Sequence, residues 1–296
     1  MRIAVVVLNY NGIEETLACL DSLRKCDIGK HQVSTIVVDN NSADNSPEKL
    51  SKLREIHLIK NKENLGFAGG MNVGIQYALD HKADWILILN NDTFVEKSFL
   101  TNLIVAGKMA DIISPIIYFA PGFEFHKKRY NENQLGKVIW YAGGEIDWQN
   151  ILGLHLHVDE VDIGKFKKGG ETDFATGACM FVRRQVFEKI GLFDERYFLY
   201  LEDMDFCMRA KLKGFRVYFE PKSIIWHKNA SSTGGSGSTL QDYYITRNRL
   251  LFALKFAPWR TKLAVFKQVL GQFSNPVKRQ ALIDFATYRF GKGTTK

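Results

Sequence analysis

Four short segments hold the residue types that chemistry needs. Glu202, Asp203 and Asp205 fall within the run Tyr200-Leu201-Glu202-Asp203-Met204-Asp205. Carboxylates this close repel one another. They serve either as acids at the positive end of a helix or as a general base with its neighbours. Leu89-Asn90-Asn91-Asp92-Thr93 closes a wholly apolar run, which holds Asp92 rigidly. An acid so placed coordinates a hard cation bridging phosphate oxygens, or it caps a turn. Trp226-His227 ends another apolar run, just before the Ser/Thr/Gly-rich stretch 229–239. His227 is a ligand there or a structural histidine. Asn64-Leu65-Gly66-Phe67-Ala68-Gly69-Gly70 opens a helical segment with glycines. Glycines let a backbone approach a ligand closely, and helix N-termini favour phosphate. It is not a dinucleotide fingerprint, which follows the first strand. Here the first strand runs into Asn9-Tyr10-Asn11-Gly12.

The elements that must position these groups alternate. Apolar β-rich runs at Ile3–Leu8, Ser34–Val38, Ile56–Ile59 and Trp85–Leu89 read as strands buried on both faces. Helical patterns over 14–25, 47–54 and 68–80 lie between them. Such alternation means βαβ units around a mostly parallel sheet. The strands end in polar residues, at Asn9 and Asn11, Asp39 to Asn41, and Asn90 to Thr93. Ligands of open α/β sheets bind beyond those carboxyl ends. Further strands are expected at Ile112–Tyr118, Val138–Tyr141, Phe215–Phe219 and Ser223–Trp226. Residues 121–137 read as a solvated loop carrying Lys127, Lys128 and Arg129, and 229–239 as a mobile loop. His155 and His157 alternate with Leu154 and Leu156, as on a half-exposed strand without a third metal ligand nearby. Helices are expected over Gln185–Ile190, 202–213, 240–256, 260–272 and 277–289, with Pro258 breaking the last series.

The composition removes other classes. An apolar fraction of 46% and a charged fraction of 24% over 296 residues are those of a globular chain able to bury a core. No apolar stretch reaches the length of a membrane-spanning helix, and the N-terminal apolar run is too short for a signal peptide. Cys19, Cys26, Cys179 and Cys207 lack CxxC spacing and read as reduced core thiols of a cytosolic protein. The net charge of +8 suggests an anionic partner, but residues 247–296 carry 11 of the 40 Lys and Arg against one acid, Asp284. The remainder is slightly acidic, which excludes a nucleic-acid-binding body. The basic tail alternates with apolar residues and suits an anionic membrane surface, or else packs on the core or on a second copy in a homo-oligomer.

In combination these segments resemble family 2 glycosyltransferases of the GT-A fold, above all the rhamnosyltransferase-like branch acting on bacterial surface polysaccharides. The resemblance rests on Val7-Leu8-Asn9-Tyr10-Asn11, Val37-Val38-Asp39-Asn40-Asn41-Ser42, Asn64 to Gly74 and Leu89 to Thr93. It continues through Tyr141-Ala142-Gly143-Gly144, Thr176-Gly177-Ala178-Cys179-Met180, Glu202-Asp203, Trp226-His227 and Tyr243 to Asn248, and covers about residues 1–255. It implies an α/β GT-A domain over 1–239, with a nucleotide-sugar half at about 1–110 and an acceptor half at about 111–239. A basic helical extension, 240–296, would follow. It implies an inverting glycosyltransferase with a nucleotide-diphosphate sugar donor, dTDP-rhamnose first and UDP-sugars next. The acceptor would be a glycan or lipid-linked glycan at the cytoplasmic membrane face.

The implied roles go residue by residue. Asp39 would bond a pyrimidine base, with Leu8, Asn9, Tyr10 and Asn11 lining that pocket. Asn64, Gly66, Phe67 and Gly69 would contact ribose and sugar, with Asn90 and Asn91 beside them. Asp92 would bind Mg²⁺ or Mn²⁺ as the surviving acid of the DxD motif, and His227 would complete that site. The neutral Asn90 in the first DxD position removes one charge from it. Asp203 would be the base, Glu202 and Asp205 would position it or the acceptor, and Thr176-Gly177 would face the acceptor. Arg247 would approach the diphosphate or acceptor. Two rival readings are weaker. A sugar-phosphate nucleotidyltransferase would carry a basic Gly-rich loop straight after the first strand, which is missing. A non-catalytic sugar-nucleotide-binding module would not need Glu202-Asp203 and His227.

Overall fold

The computed structural model describes residues 1–126, 128–229 and 238–294. Lys127 of the expected basic loop and most of the expected mobile loop lie outside the described residues. The chain begins as alternating strands and helices: β1 (Arg2–Asn9), α1 (Ile13–Arg24), β2 (Gln32–Asp39), α2 (Ser46–Ser51), β3 (Ile56–Lys60), α3 (Gly66–Asp80) and β4 (Trp85–Asn90). Then come β5 (Thr93–Val95), α4 (Phe99–Ala106), β6 (Ile112–Phe119), β7 (Ile139–Tyr141) and the hairpin β8 (Gly144–Asp147) with β9 (Leu152–His155). Next are β10 (Gly170–Glu171), β11 (Cys179–Arg183), α5 (Arg184–Ile190), α6 (Glu202–Lys211) and β12 (Val217–His227). Three helices close the chain: α7 (Thr239–Phe256), α8 (Trp259–Gly271) and α9 (Pro276–Ala286).

The main sheet has the order β10-β12-β6-β11-β4-β1-β2-β3, with β5 on β12 and β7 on β6. β1 lies parallel to both β2 and β4, and their apolar residues are buried on both faces. α3 crosses this parallel part at close range. A Cβ on Gly74 would sit 2.3 Å from Val6, and one on Gly70 2.5 Å from Leu8. Those two glycines therefore serve helix–sheet packing.

The sheet is mostly parallel, as expected, with β11 inserted antiparallel between β4 and β6. Its sequence, Cys-Met-Phe-Val-Arg, is short and shows no alternation that would distinguish it from a loop. Where two strands were expected, at Phe215–Phe219 and Ser223–Trp226, one long strand, β12 (Val217–His227), runs through, with a register shift between Glu220 and Ile224 that accommodates Pro221. β12 runs parallel to β6. The carboxyl ends of β1, β2, β4 and β12 therefore share one edge of the sheet, and Asn9, Asp39, Asn90 and His227 mark it. The four cysteines are buried and unpaired.

Candidate active site

At the β1 and β2 ends, buried polar groups hold one another. Asn9 Nδ2 donates to Asp39 Oδ1 (2.8 Å), Thr16 donates to Asn9 Oδ1 (2.7 Å), and Ser42 N–H donates to Asp39 Oδ2 (3.1 Å). Asn9 is fully buried. The expectation that it lines the donor pocket is corrected, because its amide is used to orient Asp39. Leu8 is half-buried, while Tyr10 and Asn11 are exposed beside it. Asn11 takes a left-handed turn (φ 51°), and its Oδ1 accepts from Ala43 N–H (2.7 Å).

The residue that ties this corner to the glycine-rich segment is Asn40, which carried no role in the sequence reading. Its Nδ2 donates to Asn64 Oδ1 (2.9 Å) and Gly66 O (3.0 Å), and its Oδ1 accepts from Asn61 (3.0 Å) and Leu65 N–H (3.1 Å). An amide satisfied at every point fixes a loop rather than reading a ligand. The α3 N-terminus is also occupied from within. Gly66 N–H donates to Asn64 Oδ1 (2.8 Å), and Phe67 and Ala68 N–H both donate to Phe198 O (2.7 and 3.2 Å). Gly66 (φ 71°) has no room for a Cβ, which would lie 2.5 Å from Phe198 O. Gly66 and Gly69 are buried. Both dock α3 onto the 193–200 segment. Phe67 is half-buried and adjoins Gly177, whose Cβ position lies 3.1 Å from the ring.

The β4 end carries Asn90, Asn91 and Asp92, all half-buried. Asn91 Nδ2 donates to Thr16 Oγ1 (3.0 Å) and Gly12 O (3.3 Å), so its amide joins this turn to α1. Asp92 Oδ1 lies 3.0 Å from His227 Nε2. The pair forms because β5 and β12 run antiparallel with Thr93 opposite His227. Trp140 stands edge-on to the His227 ring at 4.5 Å. His227 is buried, and its Nδ1 has no hydrogen-bond partner among the described residues. Among the described residues no three His, Cys, Asp or Glu side chains converge on one point. The donor set is therefore one carboxylate and one imidazole. That fits Mg²⁺ or Mn²⁺, which take one or two protein ligands and fill the remaining positions with substrate phosphate oxygens and water. The 3.0 Å between Asp92 Oδ1 and His227 Nε2 is a hydrogen-bonding distance, which holds the two groups side by side.

The remaining acids sit at the start of α6. Gly177 N–H donates to Asp203 Oδ2 (2.9 Å), and Met204 N–H donates to Asp203 Oδ1 (2.8 Å). The turn that supplies Gly177 also anchors β4, since Asn90 N–H donates to Ala178 O (2.9 Å). One turn thus couples the Asp92 end to Asp203. Thr176 is buried inside it, with Oγ1 accepting from Ala178 N–H (3.3 Å). Its hydroxyl thus holds the turn. Glu202 is buried, and its Oε2 has no hydrogen-bond partner among the described residues. Burial, with Asp203 adjacent, holds the Glu202 carboxyl well above the usual range; burial also raises Asp203, which its backbone donors oppose. The pair therefore keeps its charge preferentially on Asp203, the better-donated member.

This has a stability consequence. Unfolded carboxyls titrate near pH ~4.3. A carboxyl raised on folding binds more protons in the native state, so stability falls as pH rises from the unfolded to the raised folded value. Glu202→Gln should remove part of that fall. Its Tm relative to wild type should climb between acid and alkaline pH, and a constant difference would contradict the buried, raised carboxyl.

Asp205 and Arg247 are corrected. Asp205 is fully buried and bonded to Arg209 (2.6 Å), Lys255 and Tyr197 (3.2 Å), facing the protein interior. Arg247 is likewise fully buried. It donates to Arg196 O, Tyr197 O and Gly291 O (3.0, 3.0 and 2.8 Å). Beside it, Asn248 Nδ2 donates to the carbonyls of Tyr197, Leu199 and Tyr200 (2.9, 2.8 and 2.9 Å). These bonds hold a strained segment. Phe198, Tyr200 and Leu201 all have positive φ (63°, 69° and 70°) directly before Glu202. Left-handed non-glycine residues cost roughly 1–2 kcal/mol each, and α7 offsets that cost. Asn248 was a quoted motif residue without a role; a polar Asn among the apolar positions of a helix was the signal available.

Comparison with known proteins places this geometry. The model of glycosyl transferase family 2 matches residues 4–191, more than half the chain. The chain is 27% identical over 252 residues to a low-salt glycan biosynthesis hexosyltransferase of Haloferax volcanii, covering 84% of this chain and 74% of that one. It is 25% identical over 267 residues to a dTDP-rhamnosyl transferase of Shigella flexneri, covering 86% and 80%. It is 24% identical over 214 residues to the N-acetylglucosaminyl-diphospho-decaprenol L-rhamnosyltransferase of Mycobacterium tuberculosis, covering 68% of each. Among solved structures, GalNAc-T7 with UDP, GalNAc and Mn²⁺ superposes with a TM-score of 0.63 at 18% identity, over 89% of this chain and 53% of that one. The chain thus spans about half the length of that enzyme. A mannosyltransferase from Pyrobaculum calidifontis with GDP-Man and Mn²⁺ gives 0.55 at 16% identity, over 96% and 75%. These likenesses establish the GT-A fold.

Proposed function

The chain belongs to glycosyl transferase family 2, and from that premise we propose that it transfers rhamnose from dTDP-rhamnose to a hydroxyl of a lipid-linked glycan, inverting the anomeric carbon. That it is a glycosyltransferase of polysaccharide synthesis follows from the family and its relatives. The choice of rhamnose is supported by the two rhamnosyltransferases among those relatives, and the lipid-linked acceptor by the diphospho-decaprenol substrate named for one of them. A cytoplasmic location on the inner membrane face goes with such a donor and acceptor. We assign residues 1–110 to the donor half, 111–239 to the acceptor half and 240–296 to a helical extension.

One observation carries the mechanism: the 176–178 turn joins the Asp92–His227 end of the cleft to the Asp203 wall. The base of the nucleotide lies at the β1 and β2 ends, against Leu8, Tyr10 and Asn11. Asp39 accepts from it, since each carboxylate oxygen keeps a lone pair beyond its internal bond. Phe67 and Asn90 flank the sugar. Asp203 takes the proton of the attacking hydroxyl as general base, while Glu202 stays neutral beside it. A divalent cation held by Asp92 and His227 would neutralise charge on the departing diphosphate. The resident groups leave no need for a covalent nucleophile.

Thermal shifts with dTDP-rhamnose, dTDP and UDP-sugars, each with Mn²⁺ or EDTA, test the donor reading, because a ligand of the native state raises Tm. dTDP-rhamnose with Mn²⁺ should give the largest rise, and Asp92→Ala should lose the metal-dependent increment while keeping the nucleotide's own. Equal shifts with Mn²⁺ and EDTA in wild type would remove the metal role. A larger shift with a UDP-sugar would replace the donor.

A further inference from the structure

One face of α8 is uncovered. Val265 and Val269 turn inward, whereas Trp259, Leu263, Phe266, Leu270 and Phe273 recur every third or fourth residue and are 39% to 66% exposed. At about 100° per residue this spacing lines the five up as a single stripe. On the same wheel Lys262 flanks the stripe on one side, and Arg260 and Lys267 flank it on the other. α8 contains no acid. Lys278 and Arg279 follow in the first turn of α9, with the Arg279 guanidinium 5.8 Å from the Phe273 ring.

We propose that α8 is a membrane-contact helix, its apolar stripe seated among the headgroups of an anionic lipid surface and its bases on the lipid phosphates. A contiguous apolar stripe rimmed by charge marks an interaction surface, and this rim is wholly basic, which matches anionic lipid. A second copy of the chain is the poorer occupant, because pairing two α8 faces would set Arg260, Lys262 and Lys267 against themselves. No helix among the described residues is long and apolar enough to cross a membrane, so the contact is interfacial. The surface is narrower than the whole basic tail. Arg247 is buried, Arg249 is bonded to Asn150 O and Gln268, and Lys255 is paired with Asp194 and Asp205. The bases of α7 are thus committed to bonds within the protein.

Co-sedimentation of the full-length protein with phosphatidylcholine vesicles, with and without phosphatidylglycerol, tests this. Wild type should bind the anionic vesicles, less so as salt rises, and the neutral vesicles weakly. Leu263→Asp with Phe266→Asp should lower binding roughly tenfold or more, with Tm and dTDP affinity unchanged because both positions are exposed. Lys262→Glu with Lys267→Glu, which leaves the stripe intact, should lose the preference for anionic vesicles. Equal wild-type binding to both vesicle types, or stripe variants that bind like wild type, would overturn the proposal. So would a concentration-dependent dimer in light scattering that the stripe substitutions abolish, since a second copy would then be the occupant.

Discussion

Asp203→Asn is expected to lower kcat by roughly 10²–10⁴, the range a positioned general base supplies, and to leave nucleotide affinity within about threefold. The side chain keeps its shape. Its one remaining oxygen still accepts from Gly177 N–H, which keeps the turn coupled to β4, and the bond from Met204 N–H is given up. The loss would therefore be chemical. Because burial raises this carboxyl, wild-type turnover should increase with pH through the raised value, as a base must be deprotonated to act. The variant should lack that limb. Near-normal turnover in Asp203→Asn would assign the proton to another group.

Asn248→Leu is expected to cost stability and activity together, although Asn248 sits on α7 and its Nδ2 donates only to backbone carbonyls, while its Oδ1 accepts from Arg247 Nε (3.1 Å). Its amide donates to three carbonyls of the left-handed segment before Glu202. Leu fills a similar volume and donates to none of them. Tyr197 O keeps its bond from Arg247, so the change falls on the Leu199 and Tyr200 carbonyls; at about 1–3 kcal/mol for a buried carbonyl that loses its donor, a loss of about 2 kcal/mol is expected. That lowers Tm by several degrees in a chain of this size. The same change frees the segment that presents Glu202 and Asp203, so kcat should fall more than dTDP affinity. Calorimetry and turnover on one preparation read both. An unchanged Tm would show that the amide bonds do not hold the segment.

The order of the Rossmann-like half was legible in the sequence because β1, β2 and β4 are continuous apolar runs, a pattern that parallel buried strands require. Their polar carboxyl ends were legible for the same reason. What escaped was the part built from short or irregular pieces. β11 and β5 are too short to show a period, and α4, Phe-Leu-Thr-Asn-Leu-Ile-Val-Ala, is apolar enough to pass for a buried strand. Among the site residues, chemical type was readable but direction was not. Asp203 and Asp205 lie two positions apart on α6, and that spacing turns one toward Gly177 and the other into a buried ion-pair network with Arg209 and Lys255. Arg247 shows the same limit: a charged residue in a motif looked available to a diphosphate, but packing put it under the strained segment. The glycines of α3 were visible as a signal of close approach. The approach they permit is to Leu8, Val6 and Phe198.

The central claim is that the cleft divides into a metal-and-diphosphate side at Asp92–His227 and a proton-accepting side at Asp203. Titration calorimetry with dTDP and Mn²⁺ on wild type, Asp92→Ala and Asp203→Asn tests that division most directly. Asp92→Ala should lose the Mn²⁺-dependent gain in nucleotide affinity, and Asp203→Asn should keep it. A gain retained in Asp92→Ala, or lost in Asp203→Asn, would contradict the assignment of the two sides.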